Sequence, residues 1–188
     1  MSVSDTAVLI MDYQNDIVGF VSEAARDALL QRAPAFLAKA RAAGMPIIYV
    51  VVRFRPGYPE VDAANPLFAG IAKAGVLVEG TRGAEIHDAV APKPGDIVVT
   101  KRRVGAASTT DLEAVLRGRG VNRLVLFGIT TSGVVLSTVR WAADADYRIV
   151  VISDLSADRE QDVHDLLMGK VFPRQATVTT TEDFWKGA

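Results

Sequence analysis

A chain of 188 residues, 49% of them hydrophobic, suits one domain with a sizeable core, here residues 1–188. Its formal net charge of −1 argues against nucleic acid or an anionic membrane as a main partner, and no apolar run approaches the roughly 20 residues of a membrane span. The absence of cysteine excludes disulfides, thiolate nucleophiles and thiolate metal sites.

The N-terminal segment MSVSDTAVLIMDYQ carries no basic region ahead of its short apolar run, so no secretory signal and a cytoplasmic location are expected. Thr6 to Met11 predicts a first buried strand, with Asp12 setting a carboxylate at its C-terminal end. Tyr13 to Phe20 reads as a loop, in which Asp16 caps a turn in preference to assisting Asp12. Ser22 to Ala43 reads as a helix, because Leu29, Leu30, Ala33, Phe36, Leu37 and Ala40 recur at helical spacing. Ser22 suits its N-cap and Gly44 its stop, whereas Pro34 would kink or split it.

Pro46 to Val52 is a β-branched, apolar second strand. Arg53 to Gly80, punctuated by Pro56, Gly57, Pro59, Pro66 and Gly70, reads as a long irregular loop of the kind that forms a lid or substrate wall. At its start, Arg53 and Arg55 are candidates to clamp a substrate carboxylate, although each also suits a solvated loop position. Asp96 to Thr100 is the third strand and ends at Lys101; Ser108 to Gly118 is the next helix, capped by Ser108, Thr109 or Thr110.

The stretch from Asn122 to Arg140 organises the rest. Leu124 to Phe127 read as a strand buried on both faces, Gly128 breaks it, and Thr130, Thr131, Ser132 and Gly133 make a small polar turn. From Val134 onward an almost wholly apolar helix begins, and its N-terminal N–H groups can hold an anion or an oxyanion. Arg148 to Ile152 is a fifth strand, Arg159 to Lys170 a helix, Ala176 to Thr179 a sixth strand, and Glu182 to Lys186 a terminal turn or short helix. This alternation predicts an α/β fold: a six-stranded, mostly parallel sheet in a three-layer α/β/α sandwich.

Groups from different strands meet at the carboxyl ends of such a sheet. Asp12, Lys101 at the expected neighbouring strand end, and the 130–134 turn therefore come together. Lys101 would keep Asp12 ionised or position it to pass a proton; a structural ion pair is the plainer alternative. His87 and His164 read as surface residues, and neither is within sequence reach of Thr131 or Ser132, so no activated alcohol is expected. No dinucleotide fingerprint or Walker-type motif occurs, and no cofactor is expected.

Three separated segments, VLIMDYQNDI at 8–17, VVTKRRVGAASTTDLEAVLRGRGV at 98–121 and GITTSGVVLSTVRWAADADYRIVVISD at 128–154, resemble the isochorismatase-like, or cysteine hydrolase, superfamily in order and over nearly the whole chain. The resemblance implies a Rossmann-like hydrolase fold and puts Asp12 and Lys101 on two catalytic positions. Gly128, Ile129 and Thr131 match the family's G-[IV]-x-T-x-x-C-V turn, where Ile129–Thr130 falls on a commonly cis, non-proline peptide. It further implies Thr131, Ser132, Gly133 and Val134 as substrate-binding residues. The family's nucleophilic cysteine falls on Val134, and the usual aromatic and glycine of its S-A-F-x-G-T pattern are Ala107 and Thr109. The thioester route to amide hydrolysis is thus closed. Isochorismatases proper also lack the cysteine and hydrolyse a vinyl ether by protonation from the aspartate and attack of water. The function implied is a small-molecule hydrolase, of a vinyl ether or an amide-type C–N bond, using Asp12 and Lys101. The alternative is an inactive homologue serving as a binding or structural protein, which has no chemical need of either residue. Relatives that hold zinc do so through an aspartate and histidines; Val52 to Arg82 contains no histidine, so no metal is expected. The apolar fraction and the family's habit of self-association imply a homodimer or homotetramer.

Overall fold

The computed structural model describes residues 5–186; Met1 to Ser4, which open the segment read for a signal, and Gly187–Ala188 lie outside them. Six strands, β1 (Thr6–Met11), β2 (Ile47–Val52), β3 (Ile97–Lys101), β4 (Arg123–Gly128), β5 (Arg148–Ile152) and β6 (Thr177–Thr179), form one sheet in the order β3-β2-β1-β4-β5-β6. Each adjacent pair is parallel. Strand side chains alternate between faces, so Val8 and Ile10 of β1 join one core while Ala7, Leu9 and Met11 join the other.

The helices divide accordingly. On the first face lie α1 (Asn15–Val18), α2 (Glu23–Ala42), α3 (Pro66–Ala74) and α7 (Thr181–Lys186). On the second lie α4 (Leu112–Gly118), α5 (Leu136–Asp144) and α6 (Gln161–Leu166), the last continued by a π-turn over Leu167–Val171. This is the three-layer α/β/α arrangement. Strand order runs outward in both directions from β1 and β4, so their carboxyl ends flank the switch point where open sheets bind ligands.

Several local expectations change. Helix α2 runs unbroken through Pro34, its apolar face buried through Leu29, Ala33, Phe36, Leu37 and Ala40, with the Ser22 hydroxyl accepting from Ala25 N–H at 3.3 Å. The loop read at Tyr13–Phe20 contains α1. The segment read as loop over Arg53–Gly80 contains α3: the Asn65 side chain accepts from Phe68 N–H, Pro66 opens the helix, and Gly75 ends it at φ +69°. Proline and glycine there mark helix ends, not irregular chain. The helix read from Ser108 starts at Leu112, because bends and turns carry the chain from Arg102 to Asp111 across the site.

Candidate active site

Strand β1 delivers Asp12 with a left-handed backbone, φ 59°, a conformation aspartate tolerates better than most residues. Its N–H is still held by Val50 O at 2.8 Å, which fixes the turn out of the sheet. Asp12 Oδ2 receives a hydrogen bond from Lys101 Nζ at 2.8 Å, and their side chains are only 6% and 2% exposed. Lys101 is the last residue of β3, and β3 is not the neighbour of β1; β2 lies between them. Two strand spacings are about 9–10 Å. Lysine's long stem spans that gap over the end of β2, so the expectation of neighbouring strand ends is corrected to a reach across one strand. Nζ also donates to Arg103 O at 3.2 Å.

Asp12 Oδ1 is buried and has no hydrogen-bond partner among the described residues. Burial pushes the carboxyl above the usual carboxylate range, against the pull of the Lys101 ammonium. Two residues on, the wholly buried Gln14 donates to Val52 O at 2.8 Å and to Ala84 O at 2.7 Å, and accepts from Val52 N–H at 2.7 Å. It pins the end of β2 and the 82–85 segment around the aspartate. Asp16 caps a remote segment, accepting from Leu77 N–H at 2.8 Å.

The second wall is the turn after β4. At Gly128 a Cβ would lie 2.6 Å from Met11 O, so only glycine lets β4 leave the sheet this close to β1. The Ile129–Thr130 peptide is cis. Thr131 to Val135 form a π-turn that runs into α5. The first N–H groups here do not wait for an external anion. Thr131 N–H donates to Ala157 O at 2.9 Å, and Ser132 N–H to Asp158 Oδ2 at 2.6 Å, while Asp158 Oδ1 accepts from Arg159 N–H at 2.8 Å. The expected anion position at Ser132 is thus filled by the protein's own carboxylate.

Thr131 is fully buried and is not among the cavity's walls; its hydroxyl meets His164 Nδ1 at 2.8 Å. The surface reading of His164 is therefore corrected. The ring is half-buried, and desolvation lowers its pKa from the ordinary 6.5, opposed by Asp165 and Asp158. His87 stays local, its Nδ1 accepting from Ala89 N–H at 3.2 Å.

A cavity of about 400 Å³ opens between these walls, lined by Asp12, Lys101, Thr130, Ser132, Gly133 and Val134. Val134 is 2% exposed and presents only methyl groups to it. Phe20, Phe68 and Leu77 face it from the first helical layer and its loops. Arg53 and Arg55 do not line it. Arg53 is tied to Ala84 O and Glu85, and Arg55 to Glu60, so their acid partners hold them outside and the clamp reading is corrected. The arginines on the cavity are Arg103, over the Phe68 ring at 5.3 Å, and Arg159, over the Phe20 ring at 4.5 Å.

The sequence matches the isochorismatase domain family model over residues 6–183. The chain belongs to the isochorismatase family. Isochorismatase family protein YecD of Escherichia coli is 32% identical, the match covering 97% of this chain and 96% of that protein. Ureidoacrylate amidohydrolase RutB of Rhizobium rhizogenes is 32% identical over 97% of this chain and 78% of its own length. A cysteine hydrolase from Pseudomonas syringae pv. phaseolicola shares the fold, with a TM-score of 0.89, 22% identity and coverage of 99% of this chain and 93% of its own. In this isochorismatase-family member an acid–amine pair, a strand-to-helix turn carrying Val134 and a largely apolar cavity coincide. Among the described residues no three metal-ligating side chains come together, and no helix is long and apolar enough to cross a membrane.

Proposed function

We propose that this isochorismatase-family chain hydrolyses a small molecule at a vinyl ether or amide-type C–N bond, with Asp12 as acid and base and no covalent enzyme intermediate. The observation that carries the reading is the free oxygen of Asp12. Oδ2 is held by Lys101, whereas Oδ1 is buried without a partner in a residue that lines the cavity with Val134. Leaving such an atom unsatisfied costs roughly 1–3 kcal/mol, and a buried ion pair is a poor source of stability against an apolar core. A water or substrate atom at Oδ1 removes that cost, and proton transfer gives the pair a purpose.

Burial keeps a proton on Asp12 to higher pH than on an ordinary carboxylate. With a vinyl ether, that proton goes to the terminal alkene carbon and the π electrons form the new C–H bond. The ether carbon becomes an oxocarbenium ion, stabilised by the carboxylate just formed. Water adds to it and returns a proton to Asp12, and the hemiketal parts into an alcohol and a carbonyl. With an amide, ionised Asp12 takes a proton from water as its oxygen attacks the carbonyl carbon, then passes that proton to the departing nitrogen. Lys101 supports the ionised form in either sequence. Relatives named as ureidoacrylate and maleamate amidohydrolases favour the amide class, and valine at 134 favours chemistry without a covalent intermediate.

Val134 also motivates the second reading, a binding protein whose catalytic turn has lost its nucleophile. Incubation with a panel of vinyl ethers and small amides separates the two, with carbonyl product and ammonia as readouts. Turnover that disappears in Asp12→Asn is expected. Turnover of nothing in the panel, or turnover undiminished in Asp12→Asn, overturns the proposal.

A further inference from the structure

The arginines around the cavity differ in the kind of partner they hold. Arg53 is held by Glu85, Arg55 by Glu60, and Arg102 by Glu60 and Glu79. Arg103, next in the chain, has no carboxylate partner among the described residues. Its Nη1 donates to Arg102 O at 2.7 Å and its Nη2 to Glu60 O at 3.1 Å, both neutral carbonyls. A guanidinium carries five N–H donors, so those two bonds leave donors unspent, and no carboxylate oxygen lies within ion-pair distance among the described residues. The group is half-buried on the Phe68 ring, and both residues line the cavity.

The acids on the same cavity are engaged elsewhere or remote in effect. Asp12 is bonded to Lys101, Asp158 accepts from two backbone N–H groups, and Glu160 is exposed. Arg159, the other cation, lies exposed at the rim, where solvent and salt weaken any attraction. Arg103 is better placed, because a planar guanidinium fixed over an aromatic ring and partly shielded from water matches a carboxylate with two parallel N–H bonds. Its backbone position is also tied to the reacting group, since Arg103 O is a hydrogen-bond partner of Lys101 Nζ.

We infer that Arg103, seated on Phe68, selects the substrate by binding a carboxylate at the end remote from the bond facing Asp12. The inference rests on the hydrolytic reading of Asp12 and narrows it: the substrate is a small carboxylic acid carrying its labile bond a few atoms from the carboxylate. A volume of about 400 Å³ lies at the small end of ligand pockets, roughly 300–1,000 Å³, and fits such a molecule.

The test is equilibrium binding with matched pairs that differ only in charge: propionate and propionamide, succinamate and succinamide, glutaramate and glutaramide. It uses wild type, Arg103→Met, Arg103→Lys and Asp12→Asn. Methionine keeps an apolar stem on Phe68 and lacks the charge and the fork; lysine keeps the charge alone. Wild type should bind each acid about 10–100-fold more tightly than its amide, the scale of hydrogen bonds to a charged group. The preference should vanish in Arg103→Met, fall in Arg103→Lys and persist in Asp12→Asn, with circular dichroism unchanged throughout. No acid preference in wild type, a preference surviving in Arg103→Met, or equal weakening of acid and amide in that variant overturns the assignment. Turnover without an acid preference refutes this inference alone. An acid preference without turnover refutes the hydrolytic reading and leaves the carboxylate site standing.

Discussion

Lys101 Nζ and Asp12 Oδ2 are 2.8 Å apart although their strands are not neighbours; the amine reaches over the end of β2 to the acid. Both side chains are almost wholly buried, and the Lys101 ammonium is the main influence opposing the upward push of burial on the Asp12 carboxyl. Asp12→Asn leaves the ammonium with Arg103 O, and Lys101→Met leaves the carboxylate with no side-chain partner.

Each single substitution should therefore destabilise the fold by about 3–5 kcal/mol, the usual consequence of breaking a buried pair from one side. The double variant Asp12→Asn with Lys101→Met should lose much less than the sum, because no charge is then stranded. Urea unfolding of the four proteins measures this, and additive losses would mean the two groups are not coupled. Hydrolysis should fall by at least about 10²–10⁴-fold in every variant lacking the carboxyl.

The sign of the Asp12 shift sets the pH behaviour. Burial raises its pKa and Lys101 opposes that rise. The limb of the kcat/KM profile belonging to Asp12 should lie above the ordinary carboxylate value of 3.8, and should move further up in Lys101→Met. Where Asp12 donates the first proton, activity falls as pH rises through this value. Its contribution to stability has the same sign: present below the unfolded pKa and lost as pH rises through the folded one. A limb that stays put, or moves down, in Lys101→Met contradicts the assignment.

The strands, their parallel pairing and the Asp12–Lys101 meeting are legible in the sequence because each rests on local signals: β-branched apolar runs, and polar residues at their ends. The partners of charged side chains are not local. Ser132 meets Asp158 across 26 residues, and Thr131 meets His164 across 33, because both partners lie beyond β5 in the chain. Likewise nothing in the order Arg53, Arg55, Arg102, Arg103 tells which arginine finds a glutamate. Only the packing of α3 and its loop, which places Glu60 and Glu79, leaves Arg103 without one. The missed α3 has a different cause: Asn65, Pro66 and Gly75 are helix-end signals, and in a proline- and glycine-rich stretch they read as loop.

His164 gives a stability prediction of the opposite kind. Its folded pKa is lowered by burial, so its contribution is present above the ordinary imidazole value of 6.5 and lost as pH falls through the folded value. His164→Asn removes the titrating ring while offering an amide to the Thr131 hydroxyl. Unfolding free energies at about pH 7.5 and about pH 5.5 should differ less in this variant than in wild type. An unchanged difference places the acid sensitivity elsewhere.

Val134→Cys tests the site by placing a thiol on the turn that walls the cavity. The chain contains no cysteine, so the introduced thiol is the sole one and its chemistry can be read without background. Val134 is 2% exposed and lines the cavity with Lys101 and Asp12. Replacing it removes a branch from a packed wall, a loss on the scale of one buried methyl group, about 0.5–1.5 kcal/mol. The Lys101 ammonium favours thiolate over thiol, so alkylation by iodoacetamide should proceed at pH values well below the ordinary cysteine pKa of about 8.5. Lys101→Met in the same background should shift that reaction to higher pH, since it removes the positive charge. If the turn keeps its catalytic geometry, Val134→Cys should also release ammonia from small amides, with a burst as acyl-enzyme accumulates. Adding Asp12→Asn should abolish it. A thiol that reacts only as free cysteine does, with no response to Lys101→Met, would show that position 134 is electrostatically separate from the acid–amine pair and would remove the basis for treating them as one site.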